Sequence, residues 1–166
     1  MISLKIEHTK EFMNKLLLHE DFDSFLVKDA LIASFTTMQI EGSRNSEFYS
    51  EEEIEALGED CDYVRWSEIK PLCLQMIKGK KTPLHFKFVF KLSKKNVAKF
   101  LQQTGLSFTE KDVSGLYFHI RFEDGKITCI TGTALHIFTM DKSLDEAWDE
   151  MIKRFLQKLQ LDYEEL

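Results

Sequence analysis

The feature that most constrains this chain is an internal recurrence of pattern. Ile2, Leu4 and Ile6 alternate with polar residues, the signature of a strand buried on one face. Eighty-four positions later Phe86, Phe88 and Phe90 repeat that alternation. Each strand feeds a helix with matching apolar positions, Met13, Leu16 and Leu17 in the first and Val97, Phe100 and Leu101 in the second. Thr9 and Ser93 stand where N-caps are expected. Further on, Trp66-Ser67-Glu68-Ile69 followed by Leu74-Gln75 is echoed by Trp148-Asp149-Glu150-Met151 followed by Leu156-Gln157, an offset of 82 residues. A repeat of this kind governs the whole fold. It predicts a single domain of two related halves, about 1–82 and 83–166.

Between helix and helix each half carries β signals. Leu31 to Ile40 reads as a β-rich stretch ending in Glu41-Gly42. Leu116 to Phe122 reads as a strand that turns at Asp124-Gly125, a pair suited to the positive φ of a tight hairpin. Ile127 to Ile130 is the return strand, and Leu135 to Phe138 a further candidate. The polar stretch from Glu41 to Asp62 is an insertion where the second half has its hairpin. It holds a short helix at 51–57, with Ser50 and Glu53 forming a capping box. The C-terminal helix runs over Ser143 to Leu159 and presents Leu144, Trp148, Met151, Phe155 and Leu159 as its apolar stripe. The fold class is therefore α+β: an antiparallel sheet with helices, β-α-β-(β)-α twice, in pseudo-two-fold duplication. Trp66 and Trp148 are core anchors of the closing helices.

Several function classes are excluded. The N-terminal stretch is charged and no apolar run is long enough for a membrane span, which predicts a soluble cytoplasmic protein. Cys61, Cys73 and Cys129 are scattered without a CxxC pair, so they are expected to be small buried hydrophobes in a reducing compartment. No His-Glu-x-x-His motif, calcium loop or GxSxG elbow occurs, and no cofactor, metal or catalytic residue is assigned. Lys78-Gly79-Lys80-Lys81-Thr82 resembles part of a phosphate loop but lacks its first glycine and leads through Pro83 into a strand.

Charge is more informative. The net charge of −6 hides a segregation: residues 69–109 hold nine lysines and no acid. The remaining 125 residues carry 13 basic against 28 acidic side chains, a balance of −15. Eight carboxylates crowd residues 47–62. Lys78, Lys80, Lys81, Lys87, Lys91, Lys94, Lys95 and Lys99 are the candidate binding residues for nucleic-acid phosphates, or for an acidic protein partner. The competing expectation is a solvated face that pairs with the acidic segment of the same chain. A second candidate lies on the strand from Leu116, where Tyr117, His119 and Arg121 point away from Phe118, Ile120 and Phe122. With His136 they form an alternative ligand face for a small molecule or an enzyme's substrate. The leading expectation is a non-enzymatic binding or scaffold protein with nucleic acid as its first partner.

Two resemblances accompany this reading. The segments IEHTKEFMNKLLL, IKGKKTPLHFKFVFKLS, GKITCITGT and DKSLDEAWDEMIKRFL resemble those of an uncharacterised protein family of clostridial and related Firmicutes bacteria, over nearly the full length. That resemblance implies a bacterial protein and assigns no activity. The run Phe88–Phe138 resembles the opening βαββ unit of a bacterial DNA sliding-clamp domain. The matching parts are Phe88-Val89-Phe90, the helix from Val97 to Gln103, the strand Leu116 to Phe122, Asp124-Gly125, and Ile130-Thr131-Gly132-Thr133. It implies a clamp-like topology and, because a clamp ring needs six such domains, a homo-oligomer.

Overall fold

The computed structural model describes the backbone of residues 1–166 and every side chain except those of Asp60 and Cys61. Its core is one seven-stranded, wholly antiparallel sheet accompanied by five α-helices. In chain order these are β1 (Ser3–Ile6), α1 (Thr9–Leu18), β2 (Leu26–Ala33), β3 (Thr37–Glu41), α2 (Glu51–Leu57), α3 (Trp66–Ile77), β4 (His85–Lys91), α4 (Lys94–Thr104), β5 (Val113–Glu123), β6 (Lys126–Leu135), α5 (Ser143–Lys158) and β7 (Tyr163–Glu165). The strands lie in the order β3-β2-β4-β5-β6-β1-β7. The α+β class expected from the alternating patterns is the one observed.

Alternation divides the sheet into two unlike faces. Phe86, Phe88 and Phe90 of β4 meet Phe122, Ile120 and Phe118 of β5 on one face, and all six are buried. Leu4, Ile32, Ile127 and Cys129 continue that face across β1, β2 and β6. Helices α1, α3, α4 and α5 send buried residues into this same cluster, whereas α2 buries none. Trp66 and Trp148 are fully buried, and their indole N–H groups donate to Leu16 O and Tyr117 O, both at 2.9 Å. Each thus buries a large ring while satisfying its one polar atom.

Local chemistry explains most element boundaries. Ser50 Oγ accepts from the Glu53 amide and the Glu53 carboxylate accepts from the Ser50 amide, completing the expected box. Ser93 caps α4 through the Asn96 amide. Thr9 does not cap α1: the preceding His8 occupies that position without a side-chain bond, and Thr9 Oγ1 donates to Gly125 O at 3.2 Å. Asp124 and Gly125 turn the β5–β6 hairpin with φ of 53° and 74°.

The first half departs from expectation. Leu31–Ile40 is not one stretch but parts of two strands, with a tight turn at 34–36 that the apolar Phe35 disguises. The first half therefore has its own hairpin, and the acidic insertion follows that hairpin instead of replacing it. β2 begins earlier, at Leu26, and is bulged between Val27 and Asp29. β6 runs on to Leu135, so residues 136–138 form no separate strand, and β7 is an addition. The α5 stripe is rotated: Leu144, Trp148, Ile152 and Leu156 are buried, while Met151, Phe155 and Leu159 are half-buried. The order strand, helix, hairpin, helix recurs across 1–82 and 83–166. The leading strands sit differently, however, since β4 adjoins β5 of its own half whereas β1 lies between β6 and β7.

Candidate functional site

The remaining sheet face follows from the same alternation read at the odd positions. Lys87 of β4 lies opposite Arg121 of β5, Val89 opposite His119, and Lys91 opposite Tyr117. The sequence offered the lysines and the Tyr117/His119/Arg121 group as rivals. On the folded chain Lys87 and Lys91 share one face with all three. Lys28 joins them from β2, because the bulge after Val27 leaves it as the extra residue. The bulge is locked by Gly42, where a Cβ would stand 1.6 Å from Val27 O, and the Gly42 amide donates to Lys28 O at 2.8 Å.

Tyr117 is the centre of this group. Its ring lies over Gly115, where a Cβ would meet ring carbon at 2.6 Å. The Lys28 ammonium sits 5.1 Å from the ring centroid and that of Lys91 6.0 Å. Lys91 is closer still to Tyr63, at 5.0 Å, so one half-buried ammonium is shared by two aromatic rings. Burial, then the charges of Lys94 and Lys28, hold Lys91 below its ordinary pKa, against the pull of Asp62. Burial, followed by Lys87, Lys28 and Arg121, likewise lowers His119, with Asp29 opposing. Both influences favour the neutral imidazole.

Two clefts open beside Tyr63. One of 670 Å³ is lined by Lys91, Lys94, Lys111, His136, Glu110 and Asp62 among others, and the second, of 460 Å³, by Lys28, Asp29, Gln39 and Glu41. Tyr63 and Ser43 line both. His136 belongs to the larger cleft and not to the group around His119: it lies six residues beyond Ile130, the strand partner of His119, or about 20 Å at strand rise.

The other sequence candidates are spread along β4. Lys78, Lys80 and Lys81 lie in the exposed α3–β4 loop at the start of that strand, and Lys94, Lys95 and Lys99 on α4 beyond its end. The contiguous lysine run is thus a stripe rather than one patch. Part of it does pair with the acidic segment, as Lys94 reaches Asp62 at 3.1 Å. That segment is also pinned by Arg44, whose side chain is 1% exposed and forks onto Glu68 at 2.9 and 2.7 Å. Lys28 and Tyr63 had no signal in the sequence, both lying outside the lysine run and outside any periodic pattern.

Burial raises the thiols of Cys129 and Cys73, the latter to about 12, leaving both protonated and unreactive. Cys61 lies outside the described side chains. Among the described residues one group brings three ligand atoms together, Glu7, His8 and Asp162, all exposed. It stands at the N-terminus of α1, where the helix dipole opposes a cation. No described helix is long and apolar enough to cross a membrane. No curated protein and no solved structure matches the chain. Residues 15–164 match the model of a family of unknown function (DUF5721), and the chain belongs to that family.

Proposed function

We propose that this is a non-enzymatic binding protein of the reducing cytoplasm that takes nucleic acid on its open sheet face. One observation carries the reading: Lys28, Lys87, Lys91 and Arg121 gather around Tyr117 and His119, on the face opposite the helix-packed core. Cations held on aromatic rings keep their charge available to phosphate, since cation–π contact leaves the ammonium free to exchange partners. The strand and helix parts of the Phe88–Phe138 run, which resembles a sliding-clamp unit, also favour a polynucleotide partner. The chain's overall acidity restricts such binding to this local field.

Fluorescence anisotropy of labelled DNA at low and moderate salt tests the proposal. Binding should weaken steeply with salt, and Lys87→Glu with Arg121→Glu should abolish it. No binding at low salt refutes it. The 670 Å³ cleft supports a second reading, a small anionic ligand held by Lys91, Lys111 and His136. Calorimetric titration with mononucleotides and inorganic phosphate addresses that reading, which His136→Ala should weaken while leaving DNA binding intact.

A further inference from the structure

The form of nucleic acid that fits this face follows from its aromatic residues, given that the nucleic-acid reading holds. In a duplex the flat faces of the bases are covered by their neighbours, and only edges and phosphates are offered to a protein. A single strand exposes those flat faces, and aromatic side chains beside a cationic track are what receive them. Tyr63 and Tyr117 are both half-buried, and each has an ammonium against its ring. Tyr63 borders two clefts at once, and Lys91 stands between the two rings. Each cleft, at 670 and 460 Å³, has room for a nucleotide.

We propose that the face binds single-stranded nucleic acid, with bases stacking on Tyr63 and Tyr117 and phosphates taken by Lys28 and Lys91. Binding exchanges partners: a phosphate draws each ammonium off its ring, and a base takes the vacated π-face. The exchange keeps every cation paired throughout, and it releases aromatic surface only when a base is there to cover it. Lys87 and Arg121 extend the cationic track along the sheet beyond the rings. Asp29, Glu41 and Asp62 flank the clefts, and their repulsion of phosphate confines the strand to the lysine side.

The test compares a labelled 20-nucleotide oligothymidylate, a duplex of the same length and a mononucleotide at one low salt concentration. Wild-type protein should bind the single strand at least about tenfold more tightly than the duplex, and the mononucleotide much more weakly than either. Tyr117→Ala and Tyr63→Ala should each weaken single-strand binding by about tenfold and leave duplex binding unchanged. Tyr117→Phe and Tyr63→Phe keep the rings and should bind like wild type, which separates stacking from hydroxyl chemistry. Thermal unfolding of each variant separates loss of stacking from loss of fold. Equal binding of single strand and duplex, or alanine variants that bind as wild type, overturns this inference while the broader nucleic-acid reading stands. A mononucleotide bound as tightly as the oligomer also overturns it, assigning the clefts to a free nucleotide. Failure to bind any of the three at low salt removes both.

Discussion

β4 and β5 present two faces built from the same fourteen central positions, and the two could hardly differ more. One offers Phe86, Phe88, Phe90, Phe118, Ile120 and Phe122 to the helices, ring against ring, as with Phe86 and Phe122 at 4.9 Å. The other offers Lys87, Lys91, Tyr117, His119 and Arg121, all half-buried or exposed. Apolar area removed from water stabilises the first face, at roughly 25 cal/mol per Å². Like charges on neighbouring strands work against the second, because Lys87 and Arg121 lie directly opposite one another.

The contrast is broken most severely on the covered side. Trp148→Ala should lower stability by about 4 kcal/mol in urea unfolding, since it removes a fully buried ring and leaves Tyr117 O without its donor. A loss below about 1 kcal/mol would mean that α5 is not part of the core. Gly42→Ala comes next and couples the two faces. Its methyl group would collide with the Val27 carbonyl, so the bulge must reshape at about 3 kcal/mol, and Lys28 should leave Tyr117 with a measurable change in the Tyr117 ring resonances. Were the protein as stable as wild type, the bulge would not be fixed by that close approach.

Arg44→Met sharpens the comparison at the rim, where the acidic segment is tied to α3. It should cost about 2 kcal/mol at pH 7, less than a fully buried pair because Glu68 keeps partial access to water. Burial pushes the Glu68 carboxyl up, but hydrogen bonds from Arg44 and from the Arg65 amide outweigh it and hold the group below its ordinary value. The stability it contributes is therefore present above the ordinary carboxylate pKa and lost as pH falls through the lowered one. Acid titration of wild type and variant should converge in that range; parallel curves would assign the effect to packing alone.

The smallest effects belong to the open face. Lys87→Gln and Arg121→Gln should each change stability by less than about 0.5 kcal/mol, and relief of repulsion makes a slight gain the expected sign. His119 titrates below its ordinary value because burial and the surrounding cations disfavour its charged form. Its linkage to folding destabilises the protein as pH falls below the unfolded value of 6.5, and His119→Gln should flatten that slope. An NMR midpoint at or above 6.5 in the free protein would show that the cations do not surround it.

What the sequence disclosed and what it hid follow the same division between local and distant causes. Ser50 with Glu53, Ser93, and Asp124-Gly125 act within a turn of chain, so their roles were legible from neighbours alone. The aromatic alternation of β4 and β5 was equally plain, because period-two patterning needs no knowledge of partners. Phe35 was misleading, since an apolar residue in a two-strand turn looks like strand, and it is 90% exposed. Lys28, Tyr63 and Arg44 acquire their roles through a bulge, a cleft wall and a buried pair, each made by segments far apart in sequence. Strand content alone places His136 beside His119 but cannot measure the distance along β6 that separates them.

The position of β1 carries a kinetic consequence. β2, β3, β4, β5 and one edge of β6 draw their pairings from residues 26–135, whereas β1 finds its partners at 128–130 on the other edge of β6 and at 163–165 of β7. Closing so long a loop is entropically slow and rewards the chain only at its completion. During refolding β6 therefore waits with one ladder of amide and carbonyl groups unpaired. The expectation from this topology is that the β1–β6 seam closes late, which leaves an open sheet edge for a second, partly folded molecule to pair with until it does.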